Sequence, residues 1–450
     1  MNLDKNKKSP EGIMFFPGLP QGLLFFSVLL ILLISLINFC DVLLYEKLLL
    51  SYVEILIFAV LGTCFCRGDY FRRKRYLYCF LFLIWIVLGH WFKGEYTVEG
   101  ANRVIFVLRC ALCGLAFPFA HVMADVKKRK YLNSLLLIVV LIGGLMLCLC
   151  FWGMLRGENI SLLNGYIEFG VSYNKTGRMM IRVLNVHYYQ LGYFAVVCFF
   201  ISLYLIVSHR NQKIAFGGGL LLLIFAVGVF ATYSRTGVFS LVGGSILAFA
   251  LFLQNRPIKR QVRWFVLCMS IILGTVITCA MMNYIYEKVH SIRNIWYGIT
   301  TLSSRTIIWR SLVDVFQDYP QNLIYGFPYN EGMAVVNKYL CSIYDLDVVA
   351  HMHSGYLQTF LYTGFPGFVA VIIFAIYVTW VSGKLFLAPA EYGVSLEEKM
   401  LVLIPVICFI MNLVESVLFY NAPSMEIMNM LVMLCSGYIL EIKREKMPNC

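Results

Sequence analysis

The chain has 450 residues, 60% of them apolar and only 14% charged, with a formal net charge of +13. A water-soluble domain of this length would carry far more charge, so composition and a mean hydropathy of +0.77 define a polytopic membrane protein. The Lys and Arg residues sit mostly in short clusters between apolar segments, the pattern of cytoplasmic loops, which excludes a nucleic-acid-binding role.

Met1 to Pro10 is polar and basic, and the apolar run from Gly18 to Phe39 is too long for a cleaved signal peptide, so it reads as the first span. About twelve segments reach the roughly 20 apolar residues that a crossing needs. They lie near 18–39, 48–66, 76–92, 103–123, 131–152, 186–208, 214–233, 236–253, 264–283, 356–382, 399–420 and 424–441. Alternate connections carry Lys5/Lys7/Lys8, Arg67/Arg72–Arg75, Lys127–Lys130, Arg210/Lys213, Arg256/Lys259/Arg260/Arg263, Lys384/Lys399 and Lys443/Arg444/Lys446. That alternation places both termini in the cytoplasm and requires all twelve spans. The expectation is one integral membrane domain, 1–450, of all-α class, with a first long extracytoplasmic loop at 153–185. A larger one, 284–355, between helices 9 and 10 is too long for a plain connection and should fold over the outer face.

The 15 cysteines lie mainly inside apolar segments, and the C-x-C at Cys64 and Cys66 has no second pair at zinc spacing, so they read as small packing residues. No HExxH motif is present, and the D-L-D of Asp345 and Asp347 sits in an apolar stretch and is a weak signal, so no metal or other cofactor is expected.

Ionisable residues within spans are expensive, and here they share one depth. Glu54, Arg109 and Glu415 each lie about five or six residues from an outer end, roughly 8–10 Å below the surface at about 1.5 Å per residue. Glu54 and Arg109 are able to satisfy each other. The polar interior therefore opens outward.

Outer-face arginines come next in the chain. Arg178 and Arg182 are four apart with no acid between them, which on a helix calls for an anion across the pair or for plain solvation. Ser234, Arg235 and Thr236 form a tight turn between two apolar helices. Arg235 there either snorkels to lipid phosphate or clamps an anion, with hydroxyls and free N–H groups beside it. The stretch TLSSRTIIWRSLVDVFQDYP predicts an amphipathic helix capped by Ser303 or Ser304, with Ile308, Leu312, Val315 and Phe316 as its apolar stripe and Pro320 as its stop. Arg305 and Trp309 share a face. Arg310 is spaced for an ion pair with Asp314, whereas Arg305 has no acid at i+3 or i+4 and is the better candidate for ligand contact.

His351 and His353 open the tenth span. Residues two apart point about 200° from each other on a helix, so they are no metal pair. His353 is expected to share a face with Tyr356 and Leu357, at the mouth of the helix, as a base for a sugar hydroxyl. His351 reads as structural.

The turn Ser234-Arg235-Thr236-Gly237, the loop helix with Arg305 and Trp309, the Pro320–Gly326 turn, and His353-Ser-Gly-Tyr356-Leu357-Gln358 followed by Gly364-Phe-Pro-Gly367 occur in the order seen in O-antigen ligases and Wzy-type polysaccharide polymerases. The chain resembles that family over roughly residues 180–375. One departure is Ser354, where the family commonly has Asn. The resemblance implies a GT-C-like helical bundle that uses a polyprenyl-diphosphate-linked oligosaccharide as donor, without a metal. Beside it, the residues themselves read as His353 for the catalytic base, Arg235, Arg305, Arg178 and Arg182 for diphosphate ligands, and Ser234, Trp309, Arg310, Tyr356 and Glu415 for supporting residues. The expected setting is the cytoplasmic (inner) membrane, with the lipid bilayer, a glycan acceptor, and a flippase or chain-length regulator as partners. Polymerase, ligase to a lipid A core and, in a different class, transporter are the competing functions. A transporter would place its site near the midplane of repeated halves, and neither feature is visible here.

Overall fold

A computed structural model describes residues 29, 129–162, 167–173, 179–183, 188–208, 212–232, 234–254, 305–418 and 426–447. Elements are numbered in chain order within this set. The spans expected near 18–39, 48–66, 76–92, 103–123 and 264–283 lie outside the described residues, as do Glu54, Arg109, Cys64, Cys66 and Arg178.

The described chain is mostly helical. Helix α1 (Arg129–Arg156) leads into a small sheet and then α2 (Tyr188–Ser208), α3 (Gln212–Ala231) and α4 (Arg235–Gln254). Four helices are long and apolar enough to cross a membrane: Leu132–Arg156, Tyr189–Ser208, Arg235–Leu253 and Gly355–Phe386, with Phe216–Ala231 a shorter apolar helix. Each coincides with an expected span. Helix α2 is apolar on every face, which suits a helix enclosed by others. It packs against α1, α3 and α4, and nearly every side chain from Leu191 to Ile206 is buried. The neighbours α1, α3 and α4 turn Leu141, Leu145, Phe216, Leu220, Phe239 and Ile246 outward, as lipid-facing helices do.

The expectation of an all-α fold is corrected by one element. Residues 160–183 form a three-stranded antiparallel sheet, β1 (Ile160–Leu162), β2 (Ile167–Tyr173) and β3 (Met179–Val183). The pairs Phe169–Val183 and Val171–Ile181 fix the register. Phe169, Ile181 and Val183 are buried, so the alternation of period two decides against a helix. Arg182 is therefore a strand residue opposite Gly170, not a member of a helical pair.

Beyond residue 305 the chain builds a second lobe. Helix α5 (Arg305–Asp318) buries Ile308, Leu312, Val315 and Phe316 as its stripe requires. With α6 (Asn322–Tyr325), α7 (Tyr329–Tyr344), Met352, Leu361 and Tyr362 it encloses a core separate from that of the bundle. Helix α8 (Gly355–Phe386) joins the lobe to the bundle and breaks at Gly364, whose φ is +69°. A Cβ there would lie 2.3 Å from the Ile324 carbonyl oxygen, so α6 reaches this bend only because the residue is glycine. After the bend, 365–386 is of spanning length, roughly 33 Å. Ile373, Ile376 and Trp380 are exposed along it, and Lys384 Nζ lies 4.0 Å over the Trp380 ring.

The expected span 399–420 is divided into α9 (Leu396–Leu401) and α10 (Leu403–Val414), and the chain turns out of helix at Glu415. Helix α11 (Glu426–Lys446) closes the bundle.

Candidate functional site

Four separate segments converge where α4 and α8 begin and α10 ends. Ser234 caps α4, its Oγ accepting a hydrogen bond from the Gly237 N–H at 3.1 Å. Thr236, in the first turn, donates to Glu415 Oε1 at 3.5 Å. Arg235 stands between these two buried residues with its own side chain exposed.

Ser354 is the N-cap of α8 in extended conformation, so α8 starts at Gly355. Its Oγ accepts from the Leu357 N–H at 3.5 Å, which is a local role for the residue that departs from the family pattern. His353 consequently precedes the helix instead of sharing its first face with Tyr356 and Leu357. It has φ +49°, a conformation uncommon outside glycine. Several bonds hold it there. Trp309 Nε1 donates to the Met352 carbonyl at 2.9 Å, and the Met352 N–H donates to Gln358 Oε1 at 2.7 Å. The His353 N–H donates to His351 Nδ1 at 3.2 Å, and the two rings lie 4.2 Å apart. His351 thus supports the backbone of His353.

The end of α10 is fastened to the same point. The Gly355 N–H donates to the Glu415 carbonyl oxygen at 3.2 Å. Asn412 Oδ1 accepts from the N–H groups of Val417 and Leu418, at 3.1 and 2.7 Å, and holds the turn that follows. Gly355 lies so close to Asn412 that a Cβ would meet its Oδ1 at 1.9 Å. Tyr356 is buried and donates to the Phe409 carbonyl at 3.2 Å. It is a packing residue between α8 and α10.

Glu415 is the centre of the cluster. Its residue exposure is 5%. Arg305 forms an ion pair with Oε1, and His353 Nδ1 lies 3.4 Å from Oε2. Tyr193, buried on α2, has its hydroxyl against Ser234 and Glu415. Arg305, without a local acid, has one 110 residues away in sequence. The absence of an acid at i+3 or i+4 holds, but the i+4 rule sees only one helix, and this partner comes from another segment.

The remaining expected residues divide. Arg310 and Asp314 do not form the ion pair their spacing permits. Asp314 accepts instead from the Tyr344 hydroxyl at 2.5 Å, a bond that raises the pKa of that phenol. Asp318 likewise accepts from Tyr339 and pushes its pKa up to about 12. These bonds tie α5 to α7 and leave Arg310 exposed. Arg182 lies on β3, and Arg178 is outside the described residues. Sequence reasoning missed Tyr193, Asn412 and the support from His351. A buried Asn and a Tyr near the ends of apolar spans were the available signals. Among the described residues no group of three His, Cys, Asp or Glu is placed to hold a metal ion.

The arrangement defines an integral membrane protein with a histidine, two arginines and a buried carboxylate gathered at one end of its helices. Residues 219–372 match the model of the family described as O-Antigen ligase, which supports placing the chain among O-antigen ligases and polymerases. The match takes in Ser234, Arg235, Thr236, Arg305, Trp309 and His353, and ends before Glu415. The match supports a ligase- or polymerase-type glycan transfer. No curated protein matches the chain.

Proposed function

We propose that the protein is a polysaccharide polymerase of the O-antigen or capsule type, acting on the outer face of the cytoplasmic membrane. Its donor is a glycan on a polyprenyl diphosphate, and its acceptor is a sugar hydroxyl of a second lipid-linked oligosaccharide. The observation that supports this is the gathering of Arg235, Arg305 and His353 at the mouth of apolar helices. The single membrane domain, 1–450, crosses about twelve times with both termini cytoplasmic. The segments 153–185 and 284–355 lie outside.

In this mechanism the acceptor hydroxyl attacks the anomeric carbon of the donor, and the bond from that carbon to the diphosphate oxygen breaks. His353 takes the hydroxyl proton on Nε2, since Nδ1 faces Glu415. The departing diphosphate carries new negative charge. Arg235 and Arg305 stabilise it by charged hydrogen bonds, which needs no metal. Arg178 and Arg182, both from the first long loop, are assigned to the same diphosphate, and Trp309 acts through the backbone of Met352. The polyprenyl chain occupies lipid-facing helix surface.

The test is extension of a lipid-diphosphate oligosaccharide by purified, reconstituted protein with EDTA present. Lengthened glycans with release of polyprenyl diphosphate are expected. Transfer to a lipid A core without lengthening would make the protein a ligase. Transbilayer movement of the intact donor without bond formation would make it a transporter. In intact cells, cysteines introduced at 165 and 330 should react with an impermeant reagent, and those at 72 and 258 should not. Labelling of 330 only from the cytoplasm would overturn the placement.

A further inference from the structure

Glu415 lies outside the segment that matches the family, yet the other groups of the cluster meet on it. One carboxylate oxygen holds Arg305 and Thr236, and the other faces His353 Nδ1 at 3.4 Å. Its main chain is bonded to the start of α8, two residues beyond the histidine. It is buried, so an oxygen that loses its partner has little access to water. A diphosphate that reaches Arg305 competes directly with this internal anion.

We propose that Glu415 is a positioning residue that exchanges partners during the reaction: it holds Arg305 while the site is empty, yields Arg305 to the donor diphosphate, and then has His353 as its one cationic partner, with Thr236 still bonded to Oε1. This rests on the reading of Arg305 as a diphosphate ligand and His353 as the base. Released from the guanidinium, the carboxylate faces Nδ1 and carries the charge of the imidazolium formed when the base takes its proton. The proton acquired at Nε2 leaves later to water, and Glu415 itself remains ionised. The carboxylate therefore weakens donor binding and strengthens turnover.

Those two effects have opposite signs, which a merely structural residue does not produce. The probe is undecaprenyl diphosphate, bound to purified protein in detergent, alongside the extension assay. In Glu415→Gln the competing charge is gone, so the probe should bind about 5- to 20-fold more tightly while kcat falls by about 10- to 100-fold. The tightening should vanish in an Arg305→Ala background. Should Glu415→Gln not fold, Glu415→Asp carries the test. It keeps the charge for Arg305 but draws back from His353, so kcat should fall about 10-fold with binding within about 2-fold of wild type. Weaker or unchanged probe binding in a folded Glu415→Gln overturns the exchange, and so does wild-type turnover by either variant. If wild-type protein neither binds the probe nor extends a glycan, the glycan-transfer reading itself is at fault.

Discussion

Two buried carboxylates, Glu398 and Glu415, stand at opposite ends of the α9–α10 segment, each with a residue exposure of 5%. Their partners differ. Glu398 closes a capping box with Ser395: the Ser395 N–H donates to Oε2 at 2.8 Å, and Ser395 Oγ accepts from the Glu398 N–H. Lys446 adds an ion pair at 2.6 Å and also donates to the Gly393 carbonyl. These bonds start a helix or tie the end of α11 to α9 and the segment before it. Glu415 stands where α10 has already ended, and its side chain caps nothing. It collects an arginine, a histidine and a threonine from three other segments. Burial alone does not separate a structural acid from a functional one. The partners differ in kind: those of Glu398 include backbone and a lysine near helix ends, whereas Glu415 is shared among side chains that the proposed reaction uses.

The comparison predicts activity losses without instability at the Glu415 end and the reverse at the Glu398 end. The largest effect belongs to His353. Removing a general base typically costs 10²- to 10⁴-fold in rate. His353→Ala should therefore lower glycan extension by about that factor, while the protein remains inserted, abundant and close to wild type in thermal melting. His351→Ala should be milder, because it removes one bond to the His353 backbone. Wild-type extension by His353→Ala would erase the distinction between the two acids.

Arg235→Lys comes next. Lysine keeps the charge and can still reach lipid headgroups, but it lacks the planar fork. Loss of a charged hydrogen bond costs about 1.5–3 kcal/mol, or roughly 10- to 150-fold in rate. Turnover of a lipid-diphosphate donor by Arg235→Lys should drop within that range, with donor affinity lowered as well. Free substitution by lysine would reduce Arg235 to an interfacial anchor.

At the other end, Lys446→Met leaves Glu398 buried with one partner fewer. Lys446 is partly exposed and the carboxylate keeps its bond from the Ser395 N–H, so the cost is about 1–2 kcal/mol of stability. A lower melting temperature with unchanged glycan extension is expected. A loss of activity at wild-type stability would place that end of the bundle in the mechanism too.

The two ends also differ in how far the sequence discloses them. The spans at 131–152, 186–208, 236–253 and 356–382 are plain, because unbroken apolar length is a local property and the helices follow it. The stripe of α5 is equally local. The sheet at 160–183 was hidden, since three short strands declare themselves only once paired. At the site, the residue types were legible and their arrangement was not. Arg305 and Glu415 are 110 residues apart, and Thr236 and Glu415 are 179 apart. No spacing rule reaches across such distances. His353 looked like the first turn of a helix because nothing local announces that Ser354 is the cap.

The smallest prediction sets the same substitution at both ends. Ser395 and Ser234 are each an N-cap serine whose Oγ accepts from the N–H three residues on, at 3.4 and 3.1 Å. Alanine at such a position typically costs about 1 kcal/mol, within a range of roughly 0.5–2. Ser395→Ala should show that cost and nothing more, because the helix it starts carries only the structural acid. Ser234→Ala removes the same cap from α4, but the first residue of α4 is Arg235, and the Ser234 hydroxyl also meets Tyr193 beside Glu415. A looser first turn lets the guanidinium wander, and a displacement of about 1 Å in a positioning group is enough to reduce turnover many-fold. Equal melting shifts, with extension impaired about 5- to 20-fold in Ser234→Ala alone, would show that the helix start at Arg235 belongs to the site and not only to the bundle. Equal activity in the two variants would mean that Arg235 is held by its own contacts and owes nothing to the cap.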